Sequence, residues 1–290
     1  MQFLVFILVY PILWLISKLP FRVFYLISDC VYVLVYYVIG YRKKIVRENI
    51  AMALPHLSEK ERLEIEKKFY HHMCDMFLET IKTMTISQKE MEKRYVFTNL
   101  DLYLDLEKKG KSIALLCAHY ASYEWAVSMN YHINFEGYGI YKKLSNKYFD
   151  KLVKDIRSKF RATLITTRET IPSIKKNAET GHLGVYGFAS DQSPQLSATF
   201  HWHPFMGIEV PVHTGAEMLA KRFNMNVIFL RTKKIKRGYY EATFELMAEN
   251  PKEVPNYEIT NDFLNRVEKQ IYEAPEFYLW THKRWKHRKK

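Results

Sequence analysis

Ser112-Ile113-Ala114-Leu115-Leu116-Cys117 runs straight into Ala118-His119-Tyr120-Ala121-Ser122-Tyr123-Glu124-Trp125. The first six residues form a short, nearly continuous apolar run, the pattern of a strand covered on both faces in a parallel sheet. Tyr123 to Asn130 then reads as a helix. The same alternation continues downstream. Strands are expected at Tyr138–Tyr141, Thr163–Ile165, Leu183–Ala189, Asn226–Arg231 and Tyr239–Leu246. Helices are expected at Asn146–Phe160, Ile171–Glu179, Val212–Phe223 and Ile259–Tyr272. Strands alternating with helices predict an α/β fold with a single mixed sheet flanked by helices. The sequence contains no internal repeat, no low-complexity linker and no clear second domain.

Upstream of this block, residues 41 to 95 read as helical. Pro55 stops one segment, and Ser58 with Glu61 forms a capping-box pattern for a long amphipathic helix reaching about Thr83. The N-terminus differs in kind. Phe3 to Ile16 is almost wholly apolar around Pro11, and a second apolar run spans Val23 to Ile39 with Asp29 inside it. A secretory signal would place a basic segment first and a small-residue cleavage site after; neither is present. Each run falls short of the ~20 residues that cross a bilayer comfortably, and Asp29 would be costly at its centre. One short transmembrane helix plus an interfacial one, two helices in one leaflet, and plain buried core helices all fit. Arg42, Lys43, Lys44 and Arg47 follow, which favours a main domain on the cytoplasmic face under the positive-inside rule. The expectation is residues 1–40 as membrane-anchoring helices and residues 41–290 as a catalytic domain.

Of 290 residues, 48% are apolar and 15% aromatic, which excludes a largely disordered chain. Twenty-one tyrosines and 18 phenylalanines suit an apolar–water boundary. Net charge is +13, with Lys283, Arg284, Lys286, Arg288, Lys289 and Lys290 clustered at the C-terminus. Such a surface can attract nucleic acid, anionic lipid or an acidic partner. Three scattered cysteines, Cys30, Cys74 and Cys117, provide neither a disulfide framework nor a zinc signature.

In open α/β sheets chemistry collects past the carboxyl ends of the strands. His119 sits there, and Glu124 falls in the first turn of the helix that follows. A carboxylate five residues on can hold one imidazole nitrogen and aim the other. Spacing alone does not single them out, because His56 and Glu61 share it at a helix start. A structural histidine beside a helix-terminal carboxylate is the competing reading.

Several further blocks bear on that choice. They are Tyr41-Arg42-Lys43-Lys44-Ile45-Val46-Arg47-Glu48-Asn49, Tyr141-Lys142-Lys143-Leu144-Ser145-Asn146, Asp191-Gln192-Ser193-Pro194, Phe205-Met206-Gly207 with Val210-Pro211, and Glu276 to Trp285. Together with the His119–Glu124 stretch, they resemble the lipid A biosynthesis late acyltransferases, the lauroyl/myristoyl branch of the lysophospholipid acyltransferase superfamily. Lys142-Lys143 stands where that family often has Arg-Pro, and Phe205-Met206-Gly207 where it often has Phe-Phe-Gly. The resemblance implies transfer of a fatty acyl chain from acyl carrier protein, or another acyl thioester, to a hydroxyl of a lipid A precursor at the inner membrane, without a cofactor.

His119 would be the general base and Glu124 its partner. A fork-shaped guanidinium matches phosphate oxygens, so Arg157, Arg231 and Lys143 are candidate acceptor or oxyanion contacts. Asp191 and Gln192, which end an apolar strand, are expected to shape the site floor or bind the acceptor. Trp280, Trp285 and the basic tail would lie against anionic head groups or the acidic carrier protein. Other lipid acceptors, a lysophospholipid or an aminolipid, are alternatives. A metal-dependent hydrolase built on His201 and His203, with His213 nearby, is a rival, but the sequence has no matching carboxylate cluster. Nucleic-acid binding would explain the charge but not the 39 mostly apolar N-terminal residues, so no nucleic-acid partner is expected.

Overall fold

The apolar run 113–117 becomes the central strand of the molecule because both its faces are covered. In this computed structural model, which describes residues 2–289, the chain begins with helices Gln2–Lys18 (α1) and Phe21–Val33 (α2). The latter continues as a π-helical turn, Leu34–Ile39. Gly40, with φ of 65°, closes that helix in the left-handed conformation that glycine adopts without steric cost. Helices Lys43–Ala53 (α3), Glu59–Lys82 (α4) and Gln88–Arg94 (α5) follow. Ser58 caps α4 as expected: its hydroxyl accepts from the Glu61 N–H while the Glu61 carboxylate accepts from the Ser58 N–H.

Strand Tyr95–Thr98 (β1) and helix Leu100–Lys108 (α6), neither of them anticipated, lead into Ile113–Cys117 (β2). The remaining elements are Glu136–Tyr141 (β3), Lys147–Ser158 (α7), Ala162–Thr166 (β4), Thr170–Glu179 (α8), Gly184–Ala189 (β5), Trp202–Phe205 (β6), Ile208–Pro211 (β7), Gly215–Phe223 (α9), Asn226–Lys236 (β8), Tyr239–Ala248 (β9) and Glu258–Glu273 (α10). The stretch after β2 is a 3-10 helix, Tyr123–Tyr131, rather than an α-helix. β6 and β7 form a small separate hairpin that was also not foreseen.

Seven strands form one mixed sheet in the order β1-β9-β8-β2-β5-β3-β4. β8 and β9 are antiparallel; every other pairing is parallel. With this strand order, the right-handed rule for parallel crossovers puts the 3-10 helix and α7 on one face and α8 and α9, which pack against each other, on the other. The core is continuous, and Trp125, Trp280 and Trp285 are among its largest fully buried side chains.

α1 is apolar nearly all round, whereas α2 is apolar on one side and polar on the other. Leu4, Leu8, Leu15, Leu26 and Val38 are exposed, and the continuous stretch Phe21–Ile39 is long and apolar enough to cross a membrane. The opposite side docks on α4 and on the tip of the β8–β9 hairpin. There, Arg237 Nη2 donates to Asp29 Oδ1 at 2.6 Å and Arg237 Nε to Asp75 Oδ2 at 2.9 Å. Ser28 donates to Asp75 Oδ1 at 2.7 Å and Tyr25 to Glu79 at 2.7 Å. Gly238 is required at the hairpin tip, since a Cβ there would lie 2.0 Å from the Tyr25 hydroxyl. Asp29 therefore faces Arg237, at the tip of the β8–β9 hairpin.

Candidate active site

Parallel pairing of β2 with β5 in the register Cys117↔Ala189 brings two strand ends side by side. Continuing both chains two residues sets His119 opposite Asp191. His119 Nδ1 lies 2.7 Å from Asp191 Oδ1, and the same oxygen accepts the His119 backbone N–H at 3.1 Å. Asp191 is 1% exposed and His119 20%. The Tyr123 ring packs edge-on against the imidazole at 5.0 Å between centroids. Because Asp191 occupies Nδ1 and His119 lines a cavity of about 980 Å³, Nε2 is the ring nitrogen open to a substrate.

The expected contact between Glu124 and His119 is not made. Ala121 takes a left-handed φ of 50°, and the 3-10 helix that follows turns Glu124 toward α7. Its carboxylate accepts two hydrogen bonds from Arg157, Nε to Oε2 at 2.9 Å and Nη2 to Oε1 at 2.7 Å. Glu124 nevertheless stays in the same cavity and adds its charge to the field at His119. Burial opposes protonation of that imidazole. The charge and hydrogen bond of Asp191, with a smaller contribution from Glu124, outweigh burial and raise its pKa above the ordinary value. Burial likewise pushes the Asp191 carboxyl up, but His119 and its hydrogen bonds carry it below the usual range. Burial pushes the Cys117 thiol, which also lines the cavity, up to about 12, so it carries no thiolate near neutral pH.

The other candidates divide. Arg157 and Gln192 line the cavity. Lys143 is exposed on the loop after β3, where its neighbours Lys142 and Leu144 form part of the rim. Arg231 stands at the same sheet edge but is ion-paired to Glu273 of α10, outside the cavity lining. His201 lies 2.9 Å from Asn261 and stacks on Tyr257, His203 reaches Asn265 at 3.5 Å, and His213 lines the cavity instead. Among the described residues no cluster of three or more His, Cys, Asp or Glu is placed to hold a metal.

The C-terminal segment corrects the expectation of an interfacial tail. Trp280 and Trp285 are in the core, and buried Arg284 donates to the Pro211 carbonyl at 3.1 Å. This segment straps both halves of the site. The Ala121 N–H donates to the Phe277 carbonyl at 2.9 Å and the Leu279 N–H to the His119 carbonyl at 3.1 Å. Ser193, just past Asp191, donates through its N–H to His282 Nε2 at 3.1 Å and through its hydroxyl to the Arg284 carbonyl at 2.6 Å. The density of aromatic residues from Phe277 to Trp285 was the available signal for a buried strap.

A histidine oriented by a buried carboxylate at the carboxyl edge of a mixed sheet, opening into a largely apolar cavity, has the geometry that base-assisted group transfer requires. Residues 1–287 match the model of the bacterial lipid A biosynthesis acyltransferases, and the chain belongs to that family and is an acyltransferase. It is also 24% identical over 279 residues, 96% of this chain and 90% of the relative, to the lipid A biosynthesis lauroyltransferase of Escherichia coli (strain K12).

Proposed function

We propose that this acyltransferase moves a fatty acyl chain from acyl carrier protein to a hydroxyl of a lipid A precursor, with His119 as general base. The observation that carries the reading is the 2.7 Å contact between His119 Nδ1 and buried Asp191 at the head of the cavity. Neutral His119 takes the acceptor hydroxyl proton on Nε2 as the oxygen attacks the thioester carbonyl carbon. The carbonyl electrons move onto oxygen, and their return expels the donor thiolate, which takes the proton from the imidazolium. Base assistance of this kind is typically worth about 10²–10⁴-fold. Asp191 holds the tautomer and stabilises the imidazolium. Glu124 holds Arg157 in place, and the remaining guanidinium N–H groups are available to the oxyanion or to an acceptor phosphate. Gln192 contributes to acceptor binding from the same loop as Asp191.

Residues 1–40 serve as the membrane-anchoring helices and 41–290 as the acyltransferase domain, on the cytoplasmic face of the inner membrane. Exposed Lys142, Lys143, Lys283, Lys286 and Arg288 suit anionic head groups or an acidic carrier protein. The test is transfer from radiolabelled acyl carrier protein to a lipid A precursor in detergent micelles, for wild type, His119→Ala, Asp191→Asn and Glu124→Gln. Transfer by wild type, lost in His119→Ala, is expected; equal transfer in both would sink the mechanism. No transfer by folded wild type would reject this donor–acceptor pair.

A further inference from the structure

One arm of the cavity runs down the sheet face that carries His119. Successive residues of a strand point to opposite faces, so Cys117 and Leu115 of β2, Ala189, Gly187 and Val185 of β5, and Gly139 and Gly137 of β3 share that face. All of them line the cavity. The register makes levels of them: Leu115 beside Gly187, Gly187 beside Gly139, and Val185 beside Gly137. Four residues, roughly 13 Å at the rise of a parallel strand, separate Ala189 at the head from Val185 at the bottom. The middle level is a furrow because two of its residues have no side chain.

The glycines are not equivalent. A Cβ on Gly139 would meet the Leu164 side chain at 2.8 Å, whereas a Cβ on Gly187 would meet only the Tyr138 carbonyl oxygen, at 3.7 Å. A side chain at 187 therefore fits the backbone and projects into the furrow. At the bottom, a Cβ on Gly137 would fall 1.8 Å from Asn130 Oδ1. The Asn130 amide lies directly over that glycine. It is 8% exposed, its Nδ2 donates to the Val127 carbonyl at 2.7 Å, and its buried Oδ1 has no hydrogen-bond partner among the described residues. Held from above by Val127 and seated on Gly137 below, the amide cannot withdraw, and pushing an alkyl end past an unsatisfied carbonyl gains nothing in return.

We propose that Gly187 and Asn130 together set the length of acyl chain the enzyme accepts, Gly187 by leaving the furrow open and Asn130 by ending it. This rests on the acyl-transfer reading. One methylene in an apolar pocket is worth about 10–200-fold in selectivity, so a floor defined by one amide discriminates sharply.

Competition among decanoyl, lauroyl, myristoyl and palmitoyl carrier proteins tests it, with products resolved by mass. Gly187→Val is expected to lower the lauroyl-to-decanoyl ratio of kcat/KM by about tenfold or more, and Asn130→Ala to raise the palmitoyl-to-myristoyl ratio by a similar factor. Unchanged chain ranking in both variants, folded by circular dichroism, would overturn the assignment. Failure of wild type to transfer any chain would count against the enzymatic reading instead. The furrow is then decided by calorimetric titration with lauric and decanoic acids: weaker laurate binding by Gly187→Val supports it, and equal binding overturns it.

Discussion

Two clusters of buried charge each come within reach of Phe277, one through Lys234 over its ring and the other through Ala121 at its carbonyl, and they are finished differently. In the first, Asp75 has both oxygens occupied: Oδ1 accepts from Ser28 and Arg237, and Oδ2 accepts from Arg237 with the Lys234 ammonium 3.8 Å away. In the second, Asp191 spends one oxygen on His119 and leaves Oδ2 without a hydrogen-bond partner among the described residues, while His119 turns Nε2 to the cavity. A satisfied cluster locks two pieces of structure together. An unsatisfied one leaves a buried polar atom underused, at a cost in stability of about 1–3 kcal/mol for each missing bond, while the imidazole it orients keeps an edge on the cavity. The first cluster holds α2 to the β8–β9 hairpin; the second is the one to which the proposed mechanism assigns the proton transfer.

The comparison breaks if the wrong cluster proves catalytic. The largest expected effect is His119→Ala, which should lose about 10²–10⁴ in kcat per folded molecule. Asp191→Asn should slow transfer by a smaller factor and move the pH profile. Wild-type rate should rise with pH through a value above the ordinary imidazole pKa of ~6.5, because His119 must be neutral to act and its pKa is raised. Removing the carboxylate should shift that rise to lower pH, and an unmoved profile would show that Asp191 does not govern the base. Glu124→Gln should shift it less, since Glu124 is a lesser contributor.

Stability runs the other way along the pH axis. The raised His119 pKa contributes stability below the imidazole's unfolded value, lost as pH climbs through the folded one. The depressed Asp191 pKa contributes above the carboxyl's unfolded value of ~3.9, lost as pH falls through the folded one. The pair should therefore stabilise most between about pH 4 and 6.5, below the range of full activity. A stability gap between wild type and Asp191→Asn that widens above this window would contradict the assignment.

In the closed cluster, Arg237→Ala leaves Asp75 buried without its main partner. It should cost about 3 kcal/mol, the low end of the range for broken buried pairs because Arg237 is partly exposed. Thermal unfolding in detergent measures this, and activity per folded molecule should be retained. The smallest effect is expected for Ser58→Ala, which removes the α4 cap at about 1 kcal/mol without altering transfer rates.

Much of this architecture was legible in local pattern. Strands covered on both faces betray themselves as apolar runs, so β2, β5 and β8 were readable, as was the capping box at Ser58. β1 escaped because four residues at a sheet edge, following a long helical stretch, show no distinct period. His119 and Asp191 were each legible as residues ending apolar strands. Their pairing was not, because it depends on the register of strands 72 residues apart, which no local spacing encodes. Glu124, five residues from His119, looked nearer in sequence than the 3-10 helix leaves it in space. Trp280 and Trp285 misled for a related reason: indole is equally at home in an interface and in a core, and only the tertiary fold decides which.

The C-terminal strap also has a consequence for the order of events during synthesis. The Ala121 N–H and the His119 carbonyl find their partners in Phe277 and Leu279, residues made 156 and 160 positions later. Until they emerge, the loop carrying His119 lacks these two partners, although the strand that leads into it is already complete. The loop around His119 therefore settles only after the strap has been made.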